Sequence, residues 1–450
     1  MTIERSEAEG LEPELVRAIG VRGLAATIFN IMVGGGIFIL PAVAASQLGP
    51  AAPLAYVVCA LVMGLIVICF AEAGSRVSLT GGPYAYVEVA FGPFVGFLAG
   101  VLLWLLSSFA SAAVASGFAS ALTIFWPAMG DGGGIMRALV LVAMLALVAF
   151  VNVRGVREGT RLVEVVTVAK LLPLLFLVTV GAFFVRVDNL TGMFSPQWGD
   201  LGRASIVLIF AFGGVEASLV PSGEVRNPAR TVPLALTIAM IGVTGLYIAL
   251  QLVAQGILGA ELATARDAPL AAAAFVFAGA IGARVVAAGA AISMFGSVSG
   301  MTLTTPRALY AFARNGIFPR WLARIHPAYR TPHLAIATQA AIVCLLAVTS
   351  TFAKLAILAN VSVLTLYLFC CAAAWMLRRR DVRSGGPPFR VPGGPTVHLL
   401  AVAMILWLLS NATRAELGIV AAVLVLGAAL YGLASLRGRL TSAPSGSDAQ

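Results

Sequence analysis

The sequence predicts an all-α integral membrane protein of twelve transmembrane helices, on three observations: composition, the spacing of apolar runs and the placement of arginines. Of 450 residues, 60% are hydrophobic and 11% charged, whereas soluble domains run at roughly 45–50% and about 25%. That balance excludes a water-soluble enzyme. Twelve spans of roughly 20 residues occupy about 240 residues. The rest suffices for helix extensions, short loops and two tails, and no soluble domain is required.

The apolar runs lie at about 20–46, 51–71, 94–120, 136–153, 162–185, 203–221, 233–256, 272–302, 334–349, 354–377, 396–410 and 416–435. Each crosses a bilayer, or nearly does if its ends extend by a few residues, and a chain in lipid must satisfy its backbone internally, so each reads as helix. Between the last two runs, Asn411 to Glu416 reads either as a shallow loop or as an interruption in one long segment.

Lysine and arginine accumulate on the cytoplasmic side of a membrane protein. With the amino terminus inside, the inward tails and loops carry twenty-one, from Arg5 to Arg439. The other side carries seven: Arg137, Arg186, Arg203, Arg266, Arg284, Lys354 and Arg414. Both termini therefore read as cytoplasmic, and the location as a multi-pass inner or plasma membrane. The net charge of +10 predicts no nucleic-acid partner, because the basic residues fill gaps between apolar runs instead of forming one reading face. Glu4, Glu7, Glu9, Glu12 and Glu14 are the opposite of a basic secretory leader, so no cleaved segment is expected. All five cysteines lie in apolar runs, which predicts packing rather than disulfides or thiolate metal sites.

Two runs carry interruptions. The first reads Asn30-Ile-Met-Val-Gly34-Gly35-Gly36-Ile-Phe-Ile-Leu-Pro41, the sixth Phe210-Ala-Phe-Gly213-Gly214-Val-Glu216-Ala-Ser-Leu-Val-Pro221. Adjacent glycines weaken a helix and a proline removes a donor from it. These runs occupy corresponding positions if helices 1–5 and 6–10 are two halves of opposite topology. A looser echo links the half-polar stretch Gly81 to Pro93 with Thr305 to Pro319, shifted by one crossing.

No serine–histidine–acid set, phosphate loop or metal cluster emerges, and His326, His333 and His398 read as structural or interfacial; the expectation is no enzyme, cofactor or metal. A broken membrane helix instead exposes backbone groups. Amides near Gly34, Gly35 and Gly36, at the positive end of a half-helix, accept a carboxylate. Carbonyls of Ile31 and Met32 accept an ammonium, and the sixth-helix break offers another set near Phe210 and Ala211. An amino acid carries both groups. Phe210 reads either as a lid over the solute or as packing, and Met301 and Phe295 shape the far wall if helix 8 turns them inward. Lys170, deep in the fifth run, reads as an anchor for the broken first helix or as a proton carrier. Glu216 reads as a ligand for exposed backbone, a link to a neighbouring helix or a proton carrier, and Glu164 as solvent-accessible.

These stretches resemble the amino acid–polyamine–organocation transporter family, especially its bacterial permeases and exchangers. The resemblance rests on Gly34 to Pro41, Gly81-Gly-Pro-Tyr-Ala-Tyr86 with Phe91-Gly-Pro93, Phe212 to Glu216, Glu224 to Pro233 and Arg307 to Pro319. It implies a LeuT-like 5+5 inverted repeat plus two helices: a tail at 1–17, repeats at 18–185 and 203–377, helices 11–12 at 396–435 and a tail at 436–450. It also implies substrate contacts at Met32, Gly34, Gly35, Gly36, Phe210, Ala211 and Gly213, an aromatic gate at Phe210 and a lysine in a sodium-like position at Lys170. Gly35 stands where serine or alanine is frequent in the family, and Met301 where some arginine exchangers have tryptophan, which weakens cationic specificity. The expected function is amino-acid transport by alternating access, favouring neutral or apolar substrates and exchange. Proton symport, cationic amino-acid or polyamine exchange and a non-transporting sensor are the alternatives. The expected partners are a free amino acid, an exchanged amino acid or proton, and membrane lipids, with no obligatory protein subunit.

Overall fold

The structure is a computed structural model, describing residues 20–77, 82–129, 134–154, 159–191, 198–219, 225–383, 387–391 and 393–436. Gly81, Glu224, the 1–17 tail and all of the 436–450 tail but Leu436 lie outside the described residues, as does the Glu164 side chain. The described part is helical throughout, apart from short turns and connections.

The helices are α1 (Val21–Met32), α2 (Leu40–Leu48), α3 (Ala52–Arg76), α4 (Pro83–Phe91), α5 (Pro93–Ala121), α6 (Gly134–Arg154), α7 (Gly159–Gly181), α8 (Trp198–Leu208), α9 (Val215–Ser218), α10 (Pro228–Leu258), α11 (Pro269–Thr304), α12 (Pro306–Arg314), α13 (His333–Thr349), α14 (Phe352–Arg379), α15 (Pro395–Ser410) and α16 (Arg414–Leu436). Among the described residues, seven helical stretches are long and apolar enough to cross a membrane: Leu40–Arg76, Pro93–Ile124, Gly134–Arg154, Ala229–Ala263, Pro269–Arg314, Phe352–Arg379 and Arg414–Leu436. Val21–Met32, Lys170–Phe184, His333–Thr349 and Pro395–Ser410 are shorter apolar helices. The chain is an all-α, multi-span membrane protein.

Burial orders the helices by depth. In the most apolar window of Pro93–Ile124, 78% of residues are buried, against 17% in Arg414–Leu436, so α5 is central and α16 peripheral. Small residues let α5 sit there: its buried face includes Ala112, Ala113, Ala115 and Gly117, which allow close backbone approach. The helix α14 packs along α5, α10 along α3 and α1, and α11 along α7.

Three features differ from uninterrupted runs. Gly279 (φ 60°, ψ −158°) kinks α11, within what the sequence reads as one run at 272–302; without a Cβ it adopts this conformation at little cost. The half-polar stretches form two nine-residue helices that start at proline, α4 and α12, proline being favoured where the first-turn N–H has no helical partner. Within the stretch Asn411 to Glu416, residues Asn411–Thr413 form a tight turn between separate helices and Glu416 lies in the first turn of α16: Arg203 from α8 pairs with Glu416 at 2.9 Å and donates to the Asn411 carbonyl at 3.1 Å.

One charge cluster is buried away from the glycine pairs. Glu72 on α3 is fully buried and accepts from Arg76 at 2.9 Å, from Arg378 on α14 at 3.3 Å and from the Val391 N–H at 3.2 Å. His398 Nε2 on α15 lies 3.7 Å from the same carboxylate. In the connection after α14, Asp381 accepts from Arg383, which holds its carboxyl below the usual range. A buried charge is costly unless paired, so Glu72 ties three helices and a loop together through groups that cannot leave it unmatched.

Candidate substrate site at two helix breaks

The first break begins at Met32. Val33 leaves helical geometry (φ −74°, ψ 68°) while its N–H still reaches the Phe29 carbonyl. The Gly34 N–H turns back onto the Met32 carbonyl at 2.7 Å. A single 3-10 turn, Gly36–Phe38, leads into α2, which has Pro41 in its first turn. The amides of Gly35 and Gly36 take no partner among the described residues.

Close neighbours require glycine here. A Cβ on Gly35 would lie 2.8 Å from Met294 Cγ and 3.1 Å from Val114, and one on Gly36 would lie 2.9 Å from the Phe210 ring. Phe210, in the second break, therefore covers Gly36 in the first. Its ring also meets Phe352 edge-on, with centroids 5.5 Å apart.

The second break runs through a 3-10 turn, Ile209–Phe212, then extended Gly213 (φ −66°, ψ 160°) and Gly214 (φ 101°), before the short helix α9. Gly214 is required on two counts: its positive φ disfavours a side chain, and the Ile31 side chain lies 2.6 Å from where a Cβ would stand. Glu216 is 4% exposed, and its oxygens accept the Gly214 N–H at 3.0 and 3.1 Å. Tyr367 of α14 donates to the same carboxylate at 2.6 Å. An acid from within the chain fills this break, whereas in the first break the Gly35 and Gly36 amides have no partner among the described residues; the Gly34 amide, expected to be free as well, is taken by the Met32 carbonyl.

Tyr247 of α10 joins the breaks. Its buried hydroxyl lies 2.6 Å from the Met32 carbonyl and 2.9 Å from the Ala211 carbonyl; with one proton it donates to one of them at a time. The Met32 carbonyl also accepts the Gly34 N–H at 2.7 Å, so it is engaged whichever carbonyl the Tyr247 proton serves. This corrects the expectation of a free Met32 carbonyl. The neighbouring Ile31 carbonyl has no donor among the described residues. One residue earlier, Lys170 Nζ donates to the Asn30 carbonyl at 2.6 Å.

The residues expected on the far wall have these neighbours. Met301 lies 3.2 Å from Ser111 Oγ and Phe295 pairs with Phe118, while Met294, seven residues before Met301, is the α11 side chain against Gly35. Sequence reasoning missed Met294, Tyr247, Tyr367 and Asn360, whose side chain donates to the carbonyls of Ile206 and Val207 before the second break; all four sit within long apolar helices with no local motif. The intramembrane polarity of Asn360 was the one available signal.

Residues 19–430 match the family model described as amino acid permease. The chain belongs to the amino acid permease family. It is 27% identical over 421 residues to a methylthioribose transporter of Bacillus subtilis, covering 90% of each chain. It is also 27% identical over 413 residues to a serine/threonine exchanger of that species, covering 88% of this chain and 90% of the other. To an uncharacterized transporter of Mycobacterium tuberculosis it is 31% identical over 429 residues, covering 93% and 92%. A permease of this family is a secondary transporter of amino acids or related solutes, and the characterised relatives are transporters rather than enzymes.

Proposed function

We propose that this permease carries neutral amino acids across the membrane by alternating access and exchanges one for another. The observation that carries the reading is the pair of amides at Gly35 and Gly36 and the carbonyl of Ile31, none of which has a partner among the described residues. Amides at a half-helix start suit a carboxylate, and the carbonyl at the end of the preceding half suits an ammonium. Phe210 closes over Gly36, Met294 bounds Gly35, and Ala211 and Gly213 line the opposite break. In this reading Lys170 fixes the end of α1 through Asn30, and Glu216 passes movement of the second break to α14 through Tyr367.

The frame for this cycle is a twelve-helix LeuT-like bundle with two inverted five-helix repeats and both termini cytoplasmic. The two breaks, one near the start of each proposed repeat, support it, as does the arginine asymmetry. The serine/threonine exchanger supports neutral substrates and exchange. A second reading, transport of an uncharged polar solute, is favoured by the methylthioribose transporter, and the same amides would then meet hydroxyls.

The test is uptake into sealed liposomes of labelled alanine, leucine, serine, arginine and methylthioribose. Interiors are empty or loaded with amino acid, with and without a proton gradient. Neutral amino-acid uptake that requires internal amino acid is the expected result. Gradient-driven uptake into empty vesicles assigns proton symport, preference for arginine assigns a cationic exchanger, and binding without uptake assigns a sensor.

A further inference from the structure

A narrow hollow of about 10 Å³ adjoins the first break, with room for about one water molecule. Its wall includes Ile39, Ala121 of α5, Asp267 and Ala268 from the connection before α11, and Ala290 and Met294 of α11. Met294 also faces the break: its Cγ stands 2.8 Å from the place of a Gly35 Cβ. The rest of its side chain reaches Gly117 of α5. A Cβ on Gly117 would lie 3.2 Å from Met294 Sδ and 2.6 Å from Ile39 Cδ1. Met294 and Ile39 therefore come together over Gly117, whose missing side chain leaves the room, and this apolar seam stands between the hollow and Gly35.

Exposure along α11 changes at the seam. Residues three or four apart share a helix face, and on this face Ala287, Ala290 and Met294 are 1%, 5% and 1% exposed. Ser297 and Met301 are half-buried and Thr304 is exposed. Ser297 Oγ lies 3.8 Å from the place of a Gly34 Cβ, so the face that passes the break is sealed on the hollow side and opens on the other.

We propose that Met294 and Ile39 form the outer closure of the substrate site, and that parting them opens the Gly35 and Gly36 amides to the hollow. The inference rests on the alternating-access reading of the two breaks. The side of the membrane follows from the connection that carries Arg266, Asp267 and Ala268, which the arginine asymmetry makes external. Methionine suits the place, because an unbranched side chain with three rotatable bonds swings off Gly35 without moving the α11 backbone.

The test uses the full chain in intact cells and in inside-out vesicles made from them, with a membrane-impermeant sulfonated methanethiosulfonate as probe. Single cysteines are introduced by Ala268→Cys, in the hollow wall, and by Ser297→Cys, beside the break; the parent chain, whose five cysteines are buried or half-buried, gives the blank. In intact cells Ala268→Cys reacts at least tenfold faster than Ser297→Cys, and in inside-out vesicles the order reverses. Adding Met294→Ala speeds the reaction of Ser297→Cys in intact cells tenfold or more. Ile39→Val, which removes the methyl over Gly117, speeds it several-fold, and Met294→Leu, close in volume, leaves it within twofold. Equal rates for Ala268→Cys and Ser297→Cys in intact cells, no change with either Met294→Ala or Ile39→Val, or Met294→Leu as reactive as Met294→Ala overturns the proposal. If Met294→Ala fails to fold, Ile39→Val decides alone. Labelling needs no transported solute, so the two readings fail separately: a chain that carries amino acids in liposomes while labelling ignores the seam loses this proposal alone, and one whose labelling follows the seam but carries no solute loses the transport reading alone.

Discussion

Asn360 and Tyr367, seven residues apart on α14, hold opposite sides of one helix break. Asn360 donates to the carbonyls of Ile206 and Val207 at 2.7 and 3.0 Å, where α8 ends. Tyr367 donates to Glu216 at 2.6 Å, where α9 begins. Seven residues are close to two helical turns, so the two side chains share a face, and α14 acts as a splint across the gap.

Removing either side of the splint is expected to destabilise the protein by a similar amount. Tyr367→Phe takes a hydrogen bond from a buried acid, worth about 1.5–3 kcal/mol when the partner is charged. Asn360→Leu leaves two carbonyls without their side-chain donor, at about 1–3 kcal/mol for a buried unsatisfied group. Thermal unfolding in nanodiscs measures both, and variants that melt with the wild type would show that α14 does not carry this load.

Tyr247→Phe isolates a single hydroxyl. The ring keeps its edge contacts with Tyr56 and Phe212, at 6.3 and 5.4 Å between centroids, so packing is retained. The expected loss of stability is about 1 kcal/mol, together with a several-fold fall in initial uptake because the two breaks no longer share a donor. Uptake within twofold of the wild type in the liposome assay contradicts a coupling role.

The glycines should separate by geometry rather than by motif. Nothing lies closer than 3.6 Å to a Cβ placed on Gly34, whereas one on Gly214 meets Ile31 at 2.6 Å with φ at 101°. Gly34→Ala is predicted to transport at near wild-type rates, and Gly214→Ala to lose at least nine-tenths of its activity. Equal sensitivity at the two positions in one uptake series contradicts the prediction.

The Glu72 cluster predicts a non-additive pair. Glu72→Leu takes from Arg76, which is 1% exposed, its nearest carboxylate and leaves it the Val382 carbonyl at 3.3 Å and Asp381 at 3.8 Å; breaking a buried ion pair costs about 3–5 kcal/mol. Adding Arg76→Met removes the buried charge nearest the lost carboxylate and is expected to recover part of that cost, although Arg378 remains. The yield and melting temperature of the two variants check this; a double variant less stable than the single one is incompatible with it.

Most helix limits were legible because apolar length is a local property. The run read at 94–120 is helix α5 at Pro93–Ala121, and the run at 334–349 is α13 at His333–Thr349. The two breaks were legible as well, because consecutive glycines and a following proline act on the backbone that contains them. The kink at Gly279 was not, since a lone glycine among alanines also serves helix packing.

The occupancy of the breaks was not legible either. In sequence Ile31 and Met32 offer equivalent carbonyls, yet that of Met32 meets Tyr247, 215 residues away, and the neighbouring Gly34 N–H, whereas that of Ile31 has no donor among the described residues. The sequence alone determined the membrane class, most helix limits and where the helices break, because hydrophobic length and glycine content act within a few residues. Only the tertiary structure decided which exposed backbone groups stay available to a solute. A hydrogen bond inside a membrane protein forms with whichever donor folding brings within about 3 Å, and here those donors come from α7, α10 and α14.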